Sequence, residues 1–270
     1  MKKLTLVLIA VLSIQIVGCA TTTNKSESGV ERRQLLLLPE SQVESMSLQS
    51  YQQTLKEADS KKTLNTDPAA LARVREISNR LIAQTPVFRP DAKNWKWEIN
   101  VEKNPQVNAY CMPGGKIMVF TGLIDQIKPS DDELAVVIGH EISHALREHG
   151  RERMSQAYVQ QFGLQALAAF VTGSVGTAAV QAAGMGSQLF FALPNSRTQE
   201  TEADRMGLEL AARAGYNPQS AIALWTKMSK LGGNKPPAYL SDHPADGARI
   251  SDLQKLMPKM LPLYEQAKAK

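Results

Sequence analysis

Apolar residues return at helical spacing along most of the chain and at strand spacing in one central stretch. Asp67-Pro68 supplies an N-cap and a proline at the first helical position, and Leu71, Val74, Ile77 and Leu81 follow on one face. Ser41 with Glu44 forms a capping box that predicts a helix over 41–56. Ser130 with Glu133 forms another, ahead of Leu134, Val137 and Ile138, and predicts one helix through 150. Ser196 opens a helix that Gly215 ends, and Asn217-Pro218 caps a helix with Ile222, Trp225, Met228 and Leu231 as its stripe. A last helix covers about 245–257, ends near Pro258 and leaves a frayed, lysine-bearing tail. Between the early and middle helices, Trp95, Trp97, Ile99 and Val101 alternate with Lys96, Glu98 and Asn100, the period of a half-buried strand. Two further extended runs, 108–112 and 116–121, flank Pro113-Gly114-Gly115, a turn or bulge that proline confines to a sheet edge. The pattern is that of an α+β chain, mainly helical, with a small sheet.

The amino terminus has another design. Lys2 and Lys3 precede an uncharged apolar run that ends at Gly18, the charged and hydrophobic regions of an export signal covering 1–18. Ile16-Val17-Gly18-Cys19 resembles the bacterial lipobox, so Cys19 is the expected lipidation site. Several acyl chains on one residue give stable anchoring, and Ala20 after the cysteine implies the outer membrane. Acylation of Cys19 leaves Cys111 without a disulfide partner. Residues 19–34 are rich in Ser, Thr and charge without periodicity and read as a flexible tether, with one domain over 35–270. Residues 162–194 carry no charged side chain. Their small residues and glycines favour two buried or flap-like helices over a membrane hairpin, since they contribute little transfer energy.

Composition and charge add little beyond excluding disorder. The formal charge of +5 drops by two when Lys2 and Lys3 leave, and no basic cluster points to nucleic acid.

The chemistry sits in His140-Glu141-Ile142-Ser143-His144. On a helix the two histidines lie four apart and project from one face, the geometry that grips one metal ion with a glutamate beside it. A catalytic zinc takes about three protein ligands and keeps one position open. His149, nine positions after His140, falls on the opposite side of a continuous helix and reads as a solvated end-of-helix residue. The helix beginning at Arg197 offers three carboxylates. Glu200, Asp204, Gly207 and Ala211 share a small-residue face suited to close packing, whereas Glu202, Arg205, Glu209 and Arg213 look like a solvated salt-bridge row. Glu200 is therefore the expected third ligand, with Asp204 fixing the tautomer of a ligating histidine.

Taken together, Asn108-Ala109 with Pro113-Gly114-Gly115, the HExxH stretch, Ser196-Arg197 with Glu200 and Ala203-Asp204, and His243-Pro244 with Arg249 resemble the M48 metallopeptidases. That family includes membrane CAAX-processing enzymes and heat-shock membrane proteases, and this chain is most similar to its soluble periplasmic lipoprotein branch. The resemblance implies a zincin-like fold, one zinc held by His140, His144 and Glu200, and Glu141 as general base, with Asp204 in support. An edge strand bordering the site, at Asn108, Ala109 and Tyr110, would take an extended substrate through main-chain bonds.

His243 keeps three roles open: helix cap, donor to the transition state, or fourth ligand that closes the site; a flexible loop around Gly232, Gly233, Pro236 and Pro237 would let it move. Arg249 is a second candidate for the oxyanion or for a structural role. The expected function is degradation of misfolded or unassembled envelope proteins by a lipoprotein facing the periplasm from the outer membrane of a Gram-negative cell. A zinc-containing chaperone or assembly factor, partnered with the outer-membrane assembly machinery, is the alternative, and an integral-membrane protease depends wholly on 162–194.

Overall fold

In the computed structural model, which describes residues 19–162, 195–230, 239, 241, 243 and 247–269, the packing centres on the helix of the HExxH stretch. In chain order the strands are β1 (Cys19–Ala20), β2 (Gln34–Leu35), β3 (Glu98–Glu102), β4 (Ala109–Met112) and β5 (Lys116–Phe120). The helices are α1 (Glu40–Ser60), α2 (Pro68–Ile82), α3 (Thr121–Ile127), α4 (Asp131–Leu146), α5 (His149–Phe162), α6 (Arg197–Arg213), α7 (Ser220–Lys230) and α8 (Gly247–Lys268). The leader 1–18, the uncharged stretch 163–194 and most of the loop bearing His243 lie outside the described residues. Among the described residues no helix is long and apolar enough to cross a membrane.

Helix α4 starts as its sequence dictates. Ser130 Oγ accepts from Glu133 N at 3.2 Å, and the Glu133 carboxylate accepts from Ser130 N at 2.8 Å. Asp131, Asp132 and Glu133 place negative charge at the positive end of the dipole. Every residue from Glu133 to Leu146 is buried, so this helix has no solvent face. Helices α2, α6 and α7 and strand β4 enclose it.

The three-stranded sheet runs β3-β5-β4, with β3 parallel and β4 antiparallel to the central β5. This is the small mixed sheet expected, and β4, ahead of Pro113, is its edge. Gly114 and Gly115 both have positive φ in the β4–β5 turn, and a Cβ on Gly115 would lie 2.6 Å from the Trp97 ring. A non-glycine residue is excluded there twice over. Trp95 and Trp97 pack on the core as expected, but they precede β3 rather than belong to it.

Beside the site, helices α4 and α6 meet backbone against backbone. A Cβ on Gly207 of α6 would lie 2.7 Å from His140 N, and one on Gly139 would lie 2.9 Å from Gly207 O. The small-residue face of α6 therefore meets α4 as predicted. That approach brings Glu200 and Asp204, about two turns and one turn before Gly207, alongside His140.

Four expectations are corrected. Helix α1 starts at Glu40 after Pro39, with no side-chain cap, so the Ser41–Glu44 box does not form. Helix α8 runs on to Lys268 through Pro258 and Pro262; both prolines are exposed, where the carbonyls they leave unbonded meet water. The salt-bridge row on α6 is not solvated: Glu202 and Glu209 are buried. Finally, residues 20–34 are not a loose tether but a strap packed on α4, α5 and α6. Ser28 N donates to Glu209 Oε2 at 2.7 Å, Asn24 N to Phe88 O at 2.7 Å, and Gln34 Nε2 to Arg147 O at 2.6 Å. Arg32 reaches both Glu152 and Glu202, and the fully buried Arg147 donates to Thr21 and Thr23 hydroxyls and to Glu202. The polar residues that suggested a tether are the partners that these buried charges require.

Two outcomes follow from this packing. Gly207→Ala should lower stability by about 1–3 kcal/mol through overpacking at the α4–α6 contact; a melting temperature unchanged from wild type would contradict the contact. Glu202, bound by His149, Arg32 and Arg147 against the opposing effect of burial, is held down to about 2 from an ordinary 4.5. Because the folded value is depressed, its contribution is complete above pH ~4.5 and is lost as pH falls toward 2. In chelator-treated protein, wild type should lose about 2 kcal/mol more than Glu202→Gln between pH 6 and 3. Equal losses in denaturant unfolding would reject this role for the carboxylate.

Candidate metal centre

Because α4 is regular, His140 and His144 project from one face, and their Nε2 atoms approach to 3.0 Å. From α6, Glu200 brings Oε2 to 3.3 Å from His140 Nε2 and Oε1 to 3.3 Å from His144 Nε2. His243 completes the group, with Nδ1 3.1 Å from His140 Nε2 and 3.0 Å from Glu200 Oε1. One ligand atom from each of these four buried residues lies within 4.8 Å of every other. Glu141 adjoins them: its Oε1 is 3.6 Å from His243 Nε2. The structure thus brings together all three expected ligands, the expected base and the loop histidine.

The donor set fits a metal ion. Nδ1 of His140 faces the Asp204 carboxylate, at 3.0 Å from Oδ1, so Nδ1 carries the proton and Nε2 turns a lone pair inward. Lone pairs of two imidazoles and a carboxylate converging on one point repel one another unless a cation sits between them. Glu141 Oε1 and Glu200 Oε2 are buried without a hydrogen bond of normal geometry, which leaves lone pairs for a metal and for a water. Burial would lower the His140 pKa, yet Glu200 and Asp204 outweigh it and raise it to about 9, so the centre attracts positive charge. Burial pushes the Glu141 carboxyl above its ordinary value, the shift that suits a general base. Glu200 is held well below the carboxylate range, its burial being overcome by His243 and His140.

Asp204 and Arg249 stand behind the ligands. Arg249 Nε donates to Asp204 Oδ2 at 2.6 Å, and Nη2 to Oδ1 at 2.7 Å, a bidentate pair. Its Nη1 lies 3.0 Å from Glu200 Oε2, and the guanidinium stacks over Trp225 at 3.9 Å. Of the two roles left open for Arg249, this geometry matches the structural one. Along β4, the side of the strand bearing Ala109 and Cys111 faces the core with α4, and Cys111 is close enough for the Glu141 charge to raise its pKa alongside burial. The Asn108 carbonyl accepts from Phe120 N, and Tyr110 turns its ring the other way, edge-on to Phe120 at 6.2 Å. What Asn108, Ala109 and Tyr110 offer beside the site is main chain.

Two residues at the site were missed by sequence reasoning. His149 is buried, with Nδ1 2.8 Å from His144 Nδ1 and Nε2 2.9 Å from Glu202 Oε2. The nine-residue count assumed one helix, but α4 stops at Leu146 and Glu148 takes a left-handed conformation, φ 51°, so His149 opens a new helix on the other side. The signal present was the abrupt change from apolar 134–146 to the charged run 147–153. Tyr239 is buried and stacks on His243 at 4.5 Å between ring centroids, while its N donates to Val107 O just ahead of β4. Nothing in its sequence setting marks it.

Comparison with known proteins agrees with this geometry. The sequence profile described as Peptidase family M48 matches residues 68–257. Mitochondrial metalloendopeptidase OMA1 of Arabidopsis thaliana is 40% identical over 175 residues, 64% of this chain and 34% of that protein. Metalloprotease LoiP of Escherichia coli is 29% identical over 248 residues, 90% of this chain and 92% of LoiP. The Beta-barrel assembly-enhancing protease of Yersinia pestis is 27% identical over 207 residues, 73% of this chain and 40% of that protein. The chain therefore spans a third to two fifths of the plant and Yersinia relatives and nearly all of LoiP. All four converging donors fall inside the span that the profile matches, and by that match the chain belongs to Peptidase family M48.

Proposed function

We propose that this chain is a zinc metalloendopeptidase that cuts misfolded or unassembled proteins of a bacterial envelope. The observation that carries the reading is the meeting of His140, His144 and Glu200 on one point beside the buried Glu141, whose Oε1 has no hydrogen-bond partner. Zinc held by His140, His144 and Glu200 would acidify a water and polarise a scissile carbonyl. Glu141 takes the proton from the attacking water and returns it to the leaving amine. Asp204 holds the His140 tautomer, and Arg249 holds Asp204 and Glu200 in place. The outer side of β4, which pairs with no other strand among the described residues, would align the substrate through its main chain, giving affinity with little demand on sequence.

The location is part of the proposal: removal of 1–18, acylation of Cys19 and a domain over 35–270 held against the periplasmic face of the outer membrane. The strap packed behind Cys19 then sets the catalytic domain close to the membrane. The name of the Yersinia relative, which speaks of β-barrel assembly, supports substrates drawn from outer-membrane assembly. A second reading, an assembly factor that binds such proteins and rarely cuts them, is favoured by His243, whose imidazole makes the set of donors four. A tetrahedral site closed by four protein ligands has no position for water.

Two substitutions separate these readings. Glu141→Gln should keep wild-type zinc content and lose cleavage of a casein-type substrate by about 10²–10⁴-fold; full cleavage by that variant would end the peptidase assignment, and a surviving assembly function would favour the binding reading. His243→Ala should raise peptidase activity several-fold if the imidazole closes the site at rest. A strong loss would instead give His243 the transition-state role.

A further inference from the structure

The mechanism leaves a row of buried polar groups unused on the far side of His144. His140 is backed directly by a carboxylate, Asp204, but His144 is backed by another histidine, and that histidine in turn by Glu202. His149 is fully buried and its ring meets that of His144 at 4.9 Å between centroids, inclined at 71°. Glu202 accepts from His149, Arg32 and Arg147 at once, so its lone pairs are fully engaged. Arg147 also donates to Thr21 and Thr23, which seals this end of the row under the amino-terminal strap.

We propose that His149 is a positioning residue for the metal ligand His144: Glu202 holds the His149 proton on Nε2, so Nδ1 accepts from His144 Nδ1–H and the His144 Nε2 lone pair faces the cluster. The inference rests on the zinc reading of the four-donor site. With both rings neutral, the chain of hydrogen bonds has only two consistent proton arrangements. In the other, Nδ1 of His149 donates, and the His144 proton moves to Nε2, 3.0 Å from His140 Nε2 and aimed at the ligand atoms. Glu202 excludes it, because a carboxylate with no proton of its own must be given one by His149 Nε2. Arg32 and Arg147, both paired with Glu202, hold it as a carboxylate, an acceptor with nothing to donate to His149. The two ligands of α4 are thus oriented by different means: His140 by a charge in contact, His144 by a neutral ring that relays the direction of a hydrogen bond from a charge one residue further out.

The substitutions that test this divide the two ends of the His149 ring. Asparagine places an acceptor where Nδ1 stands and drops the Nε2 donor; glutamine places a donor where Nε2 stands and drops the acceptor; phenylalanine keeps the volume and loses both. Zinc affinity is measured on the full chain by competition with a chromophoric chelator, with melting of the zinc-free protein alongside. Wild type must bind stoichiometric zinc, and failure there defeats the metal-site reading itself rather than the role of His149. With zinc bound by wild type, His149→Phe and His149→Gln should weaken binding about 10–100-fold, whereas His149→Asn stays within about threefold of wild type. Equal losses in asparagine and glutamine, or losses that follow the melting temperature across all three, would make His149 structural and overturn the proposal. If the phenylalanine variant does not fold, the asparagine–glutamine difference decides alone.

Discussion

Everything at the metal centre depends on one steric fact, the contact of the α4 and α6 backbones at Gly139 and Gly207. Two helices that meet through ordinary side chains stand about 8–10 Å apart. A carboxylate on one then meets a histidine of the other only across that distance. With no Cβ on either side, the main chains close on each other, and the short side chains of Glu200 and Asp204 reach both imidazoles without stretching. The same closeness allows Arg249, from α8 packed on α6, to grip Asp204 in a bidentate pair and still approach Glu200. Geometry that fine is held by packing density rather than by any single bond.

The parts of this arrangement that were legible in the sequence are those set by local rules. The Ser130 capping box, the helix starts at Ser196 and Asp67-Pro68 and the Gly114-Gly115 turn each involve residues a few positions apart, and each is found where the pattern put it. The i, i+4 histidines and the small face of α6 are equally local, so their outcome could be reasoned from periodicity alone. Not every local rule held, as the absent Ser41–Glu44 box and the helix running through Pro258 show, but the larger errors concern solvation. Glu202 and Glu209 read as solvated because arginines one turn away offered surface pairs, and His149 because a continuous helix would carry it away from His144, yet all three are buried. Their partners are Arg32, the Ser28 amide and His144, and the first two come from a segment whose composition reads as unstructured. A Ser/Thr-rich stretch is loose only if no buried charge needs it, and that condition is not local.

The break at Glu148 shows the same limit at single-residue scale. A left-handed non-glycine residue costs about 1–2 kcal/mol, and no feature of the sequence asks for it. Arg89 explains its survival: its guanidinium lies 2.7 Å from Glu148 Oε1, and Arg151 holds Oε2 at 2.6 Å. Both bonds hold the side chain of the strained residue, one from outside the helix pair and one from the first turn of α5. Breaking α4 there turns His149 back toward His144, so the local cost is offset by a partner for a metal ligand.

The charges of the buried centre are paired with one exception. Asp204 and Arg249 cancel, Glu202 is matched by Arg32 and Arg147, and Glu141 is pushed toward its neutral form by burial. Glu200 therefore remains as negative charge with Arg249 shared and only imidazoles around it. An unmatched buried carboxylate costs several kcal/mol unless a cation joins it. That charge is among the causes that raise the His140 pKa to about 9 against its burial. A divalent ion at the same point would balance Glu200 directly, with the Nε2 atoms of His140 and His144 each 3.3 Å from its carboxylate oxygens and placed to share the ion.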